Sequence, residues 1–146
     1  YRFTKDPAYL KQSEGIADFF LNLPNMPEDF VPYWDMKAPG VDGLQSHVAV
    51  DSVPRDASAA ALIASGLYEL CTYITPEKGK RYKSIADKIV GNLGRHYQAE
   101  PGTHYGFLLL HSTGHYPGGS EIDVPLNYAD YFYLEALARK EALDNQ

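Results

Sequence analysis

Two histidines, a serine, a threonine and a tyrosine fall within six residues, His111-Ser112-Thr113-Gly114-His115-Tyr116, and Pro117-Gly118-Gly119 follow at once. Imidazoles and hydroxyls exchange hydrogen bonds and can move protons near neutral pH, and glycines let the backbone take unusual shapes. His111 and His115 are four positions apart, a spacing that on a helix would aim both rings at one zinc ion. Three glycines and a proline make the stretch a loop instead, and no third ligand stands nearby, so no metal and no cofactor are expected. Two readings stay open. His111, Ser112, Thr113, His115 and Tyr116 form the polar wall of a small-molecule site, or His111 is a half-buried, hydrogen-bonded histidine closing the apolar run Phe107–Leu110.

Three further groups could take part. Trp34 is the one tryptophan, and it can serve as a stacking platform for a sugar or as a loop anchor. Arg55 can pair with a carboxylate on a ligand or internally with Asp35 or Glu28. Asp56 precedes Ala57-Ser58-Ala59-Ala60 and can cap a helix or contact a ligand at a helix N-terminus. Asp130, near the start of the last helix, is expected to cap it.

These groups must be positioned by helices. The first is predicted to start at Asp6-Pro7, an N-cap acid followed by proline, and to stop before Pro24, with Ile16, Phe19, Phe20 and Leu23 on one apolar face. A second runs from Asp56 to about Tyr73, apolar on nearly every side, and is expected to be the most buried element. A third, from about Lys80 to Tyr97, is amphipathic and outward-facing. The fourth, from about Tyr128 to Ala142, carries Tyr131, Phe132, Leu134 and Leu137 as packing residues. Only Gly106–Leu110 suggests an extended piece.

A short Thr-Pro-Glu-Lys-Gly link makes helices two and three an antiparallel hairpin. The other two joins, Pro24–Arg55 and Gln98–Asn127, are each about thirty residues long, a length usually functional or disordered. Phe30, Val31, Tyr33, Trp34 and Val48 in one, and Phe107–Leu110 in the other, argue for order. If the helices alternate in direction, both long joins emerge at the same end. Alternating helices with elaborate loops at one end describe an all-α arc of an α/α toroid; four helices cannot close the ring.

The totals fit that picture. A chain of 146 residues is one domain's worth at most. A net charge of -6 without a basic stripe argues against nucleic acid and anionic membranes as partners. The longest apolar stretch, Ala57–Ile74, is interrupted by Ser58, Ser65, Glu69 and Thr72 and reads as a buried helix rather than a membrane span. The lone Cys71 excludes an internal disulfide, and no signal-peptide pattern or N-glycosylation acceptor is visible. Aromatic residues reach 13%, many of them outside the helices, which suits stacking on sugars as well as ordinary packing.

Four segments in order, "YWDMKAPG" (33–40), "PRDASAAALIASGLYEL" (54–70), "GFLLLHSTGHYPGGSEID" (106–123) and "PLNYADYFYLEALAR" (125–139), resemble the unsaturated glucuronyl hydrolases, glycoside hydrolase family 88. The related unsaturated rhamnogalacturonyl hydrolases share the fold and fit these motifs less well. The resemblance implies a toroid of six helical hairpins, an (α/α)6 barrel, of which this chain matches the C-terminal part, with no second domain. It implies removal of 4,5-unsaturated uronic acid from the non-reducing end of lyase-generated oligosaccharides. A carboxylic acid protonates C4 of the enol ether, water attacks C5, and the hemiketal opens with loss of the glycosidic bond. The family's catalytic aspartates lie upstream of what Tyr1 matches, so no residue here is assigned that role and the chain alone is expected to be inactive. Its partners would be an unsaturated uronyl oligosaccharide and the remainder of the same domain, in the cytoplasm or periplasm of a bacterium. Where some family members use a tyrosine to line the pocket, this sequence has Gly114, so Tyr116 or His115 would substitute. A reading from another class, a noncatalytic helical carbohydrate-binding or interaction module, also fits the composition.

Overall fold

The computed structural model describes residues 1–37 and 53–145. Val48, expected to anchor the first long join, lies outside the described residues, as does the end of the first motif. Four helices appear, α1 (Pro7–Leu21), α2 (Ala57–Leu70), α3 (Pro76–His96) and α4 (Asn127–Asp144). Strand pairing among the described residues is limited to isolated bridges.

Local chemistry sets the helix starts. The Asp6 side chain accepts the Ala8 N–H at 2.8 Å with Pro7 behind it, and the Asp56 side chain accepts the Ser58 N–H at 3.0 Å. α3 starts four residues before the predicted Lys80. Pro76 is preset for a first turn, Glu77 suits its N-terminal dipole, and Gly79 fits where a Cβ would stand 2.7 Å from the Cys71 carbonyl oxygen.

Contacts along the helices give their directions. Arg2 pairs with Glu69 and Tyr1 packs edge-on against Tyr73, so α1 begins where α2 ends. Lys78 binds Glu14 and Asp18, and Tyr82 donates to Asp18, so α1 and α3 run the same way. Ser65 donates to Glu135, and Arg139 reaches back to Ser65 and Glu69, so α2 and α4 are also parallel to each other. Successive helices therefore alternate, and the two long joins leave from one pole.

α2 is the most buried helix, with nine of its residues inside. Its contact with α4 is the most extensive in the chain. Ala57, Ala60, Ala61 and Ala64 of α2, and Ala129 and Ala136 of α4, are all fully buried. Side chains that small let helix backbones approach closely. α3 covers this pair from outside with Tyr82, Ala86, Ile89 and Leu93, each at 0% exposure.

Two expected packing faces are instead open. On α1, Ile16 and Phe19 are 58% and 62% exposed, and only Phe20 and Leu21 are buried. On α4, Tyr131, Leu134 and Leu137 are exposed, while Phe132 is half-buried. The periodicity that marks these faces is real; the surface each would pack against is not among the described residues. Exposed apolar area at both ends of the helix row is the signature of an arc rather than a closed bundle. Among the described residues no helix is long and apolar enough to cross a membrane.

Candidate functional site

The two long joins meet over the N-terminal ends of α2 and α4. The Ala57 N–H donates to the His111 carbonyl at 3.0 Å, and the Thr113 hydroxyl donates to the Arg55 carbonyl at 3.1 Å. Trp34 and Tyr116 stack with centroids 4.5 Å apart and planes 14° from parallel. In the same join Asp29 gathers four ties: the Tyr97 phenol at 2.9 Å, the Asn92 amide on its carbonyl at 3.0 Å, the Val31 N–H at 3.1 Å, and the Arg55 guanidinium. Burial, and the bond to Asp29, push the Tyr97 phenol up to about 12.

Arg55 is held on several sides. Its Nε donates to the Val31 carbonyl at 2.8 Å, its Nη2 to Asp29, and its guanidinium lies 5.2 Å from the Tyr33 centroid. Its acidic partner is Asp29, correcting the expected Asp35 or Glu28; the antiparallel Tyr33–Arg55 bridge brings the guanidinium back along the chain to Asp29. Asp35 instead turns on itself to accept the Lys37 N–H at 2.9 Å.

Residues 111–124 fold back on themselves. Ser112 and Val124 exchange two backbone hydrogen bonds, at 3.0 and 2.9 Å, and His115 bridges Ser120. This places Asp123 opposite His111, whose Nδ1 lies 2.7 Å from the carboxylate. Both residues adopt left-handed backbone conformations, φ 61° for His111 and 54° for Asp123, and Glu121 does too at 52°. Such conformations cost about 1–3 kcal/mol each outside glycine and gather where a structure overdetermines them, commonly at functional sites. Ser112 is fully buried with no partner for its hydroxyl among the described residues.

The predicted wall residues therefore separate. Thr113 is buried at the α2 cap, where its N–H approaches Asp56 Oδ1 at 3.4 Å and its Oγ accepts the Asp123 N–H at 3.2 Å. His111 is exposed and faces Asp123, His115 curls over Gly118, and Tyr116 lies on Trp34. Asp56 caps α2 and also binds the Ser58 hydroxyl at 2.6 Å. Asp130 is not a helix cap, contrary to expectation. It sits in the first turn of α4, past the Leu126 cap position, and its two oxygens accept the Leu108 and Leu109 N–H groups, each at 2.9 Å. With the pairing of Ala99 and Tyr97 to Leu108 and Leu110, that clamp holds the extended piece. Among the described residues no group of three metal-ligating side chains forms.

A groove of about 790 Å³ starts at this pole and runs down between α1 and α2. Its polar end is made by Asp56, Ser58, Thr113, Gly114 and Tyr128; its apolar length includes Ile16, Leu62 and Ile63. A Cβ at 114 would stand 2.6 Å from the Tyr128 phenol oxygen and collide with the Glu121 carboxylate, so glycine spares both side chains a shift. The side chains that reach over Gly114 are those of Glu121 and Tyr128. Burial, then the nearby Asp56 and Glu121 carboxylates, raise the Tyr128 phenol above its ordinary value. Asp29, Glu121, Asp123 and Tyr128 were not singled out from the sequence. The fold-back pairing of 111–124, foreshadowed by its three glycines and proline, is the signal that could have brought the last three in.

The chain is homologous to the unsaturated glucuronyl hydrolases. It is 40% identical over 144 residues to an unsaturated glucuronyl hydrolase of Formosa agariphila, covering 98% of this chain and 33% of that protein. The crystal structure of an unsaturated glucuronyl hydrolase specific for heparin superposes over 100% of this chain and 37% of its own, with TM-score 0.88 and 43% identity. An unsaturated glucuronyl hydrolase variant from Streptococcus agalactiae complexed with dGlcA-GalNAc6S matches 95% of this chain and 34% of its own, with TM-score 0.80 and 31% identity. No protein-family model matches the chain. These neighbours are (α/α)6 toroids, so the four helices are an all-α arc of that fold, and the chain spans about a third of the length of the relatives it matches. In the arc, α2 and α4 form the inner row and α1 and α3 the outer.

Proposed function

We propose that these residues are the C-terminal arc of a single α/α-toroid domain that removes 4,5-unsaturated uronic acid from the non-reducing end of lyase-generated oligosaccharides. The observation that carries this reading is the convergence of both long joins on the N-terminal pole of the inner helices. That pole bears the polar mouth of the groove, in a chain superposable along its whole length on enzymes of that activity. The reaction needs one carboxylic acid whose pKa suits both donating a proton to C4 and then accepting one from the water that attacks C5. This arc supplies walls for such a site, and the catalytic carboxyl is assigned to the remaining two thirds of the domain, so the chain alone is inactive. His111, Ser112, Thr113, His115, Tyr116, Trp34 and Arg55 act in it as the rim and its supports, with an unsaturated uronyl oligosaccharide as substrate and the rest of the domain as the partner that covers the open flanks. A noncatalytic module standing alone is disfavoured by Ile16, Phe19, Leu62 and Leu134, which it would leave in water.

The test uses the complete protein with lyase products of glycosaminoglycan, gellan and pectin. Loss of the ultraviolet absorbance of the conjugated uronate is expected with the glycosaminoglycan set. No loss with any set would overturn the proposal, and loss with pectin products only would redirect it to the rhamnogalacturonyl class.

A further inference from the structure

We infer that Asp29 is a positioning residue: lying outside the groove, it holds the second long join in place through Arg55 and Tyr97, and so sets how tightly substrate is bound. This rests on the functional reading above and deepens it. Asp29 belongs to the first long join and collects groups from three places in the fold. One carboxylate oxygen accepts the Val31 N–H at 3.1 Å and the Arg55 guanidinium, and the other accepts the Tyr97 phenol at 2.9 Å. Its carbonyl accepts the Asn92 amide of α3 at 3.0 Å. Phe30, next in the chain, has a left-handed backbone at φ 59°. A bulky side chain takes that conformation only where its surroundings impose it.

Two routes lead from this carboxylate to the second join. Arg55 receives the Thr113 hydroxyl on its carbonyl at 3.1 Å, and the Tyr97 ring meets the His111 ring edge-on, 6.0 Å between centroids. His111 and Thr113 flank Ser112, so the chain is gripped on both sides of one residue. Thr113 lines the groove, whereas Asp29, Arg55 and Tyr97 do not. Energy and geometry separate here. The Arg55 and Asp29 side chains keep 27% and 29% of their surface exposed, and an ion pair that wet adds little to folding. What it fixes is direction. A shift of about 1 Å in a group that positions substrate can cost on the order of a hundredfold. The catalytic carboxyl is assigned to the rest of the domain, so a loosened wall loses binding shared by ground and transition states. Such a loss raises KM and spares kcat.

The test is the split between KM and kcat on the complete protein, with whichever glycosaminoglycan, gellan or pectin lyase product it turns over, and with folded protein quantified for each variant. Asp29→Ala should raise KM about tenfold and leave kcat within about twofold. Asp29→Asn, which keeps an oxygen for Val31 and Arg55, should recover most of the lost affinity. Tyr97→Phe breaks one tie and keeps the ring on His111, so a rise of about threefold in KM is expected; it carries the test if Asp29→Ala does not fold. Asp18→Ala breaks a carboxylate cluster between α1 and α3 and should leave KM unmoved. A wild-type KM in every folded variant at positions 29 and 97 would overturn this inference alone. So would a KM in Asp18→Ala that rises as much as theirs, since Asp29 would then act through stability only. A wild type inactive on every product would take the functional reading down with it.

Discussion

Trp34 and Tyr116 lie face to face at 4.5 Å, one from each long join, although they stand 82 positions apart in the sequence. The stack closes the pole: it ties residues leading into α2 to the loop leading into α4. With one face covered and Nε1 buried without a partner among the described residues, Trp34 acts as an anchor of the site first. The pair should therefore be energetically coupled. In a double-mutant cycle of Trp34→Ala and Tyr116→Ala, read by chemical denaturation, a coupling of about 1 kcal/mol is expected. Additive losses would mean that the stack holds nothing together.

Asp56 serves two segments, capping α2 and receiving the Thr113 N–H. Asp56→Ala should lower stability by about 1–2 kcal/mol and Asp56→Asn by much less, because an amide oxygen still caps. Equal losses in the two variants, measured in the same denaturant series, would show that the charge rather than the capping oxygen matters.

The clamp from Asp130 to Leu108 and Leu109 makes a local prediction. Asp130→Ala leaves two N–H groups of the extended piece without partners, at about 1–3 kcal/mol for a buried group. Hydrogen exchange should speed up at Leu108 and Leu109 while amides in the middle of α4 keep their protection. Uniform loss along α4 would make Asp130 a helix residue after all.

Part of this was legible in the sequence. Asp6-Pro7 and Asp56 mark helix starts because a cap is a local contact, decided within three residues. The shared pole of the joins follows from alternation alone, once the helices are counted. A pairing such as Arg55 with Asp29 is not local, and of the left-handed turns those at His111 and Asp123 fall on residue types that tolerate the region, whereas the one at Glu121 has no such signal. The apolar faces of α1 and α4 illustrate a different limit. Periodicity says that Ile16, Phe19 and Leu134 seek burial, and it is silent on whether the covering surface belongs to the same stretch of chain. Asp130 was misread for a related reason, since an acid in a first turn suits the helix dipole and a neighbouring strand equally well.

The ion cluster joining α1 to α3 predicts a pH dependence with a definite sign. Hydrogen bonds from Lys78, then from Tyr82, hold the Asp18 carboxyl below its ordinary value. A group with a depressed folded pKa contributes stability that is present above its unfolded value, about 4, and lost as pH falls through the folded value. At the alkaline end the sign reverses. Burial, then the bond to Asp18, push the Tyr82 phenol up to about 12. Its contribution is complete below its unfolded value, about 10, and fades as pH rises toward 12. Asp18→Asn should therefore flatten the acid limb of a melting-temperature profile below pH about 4. Tyr82→Phe should flatten the alkaline limb above pH about 10 and leave the acid limb steep. If both variants keep the wild-type profile at both ends, the cluster does not couple α1 to the outer face of the arc.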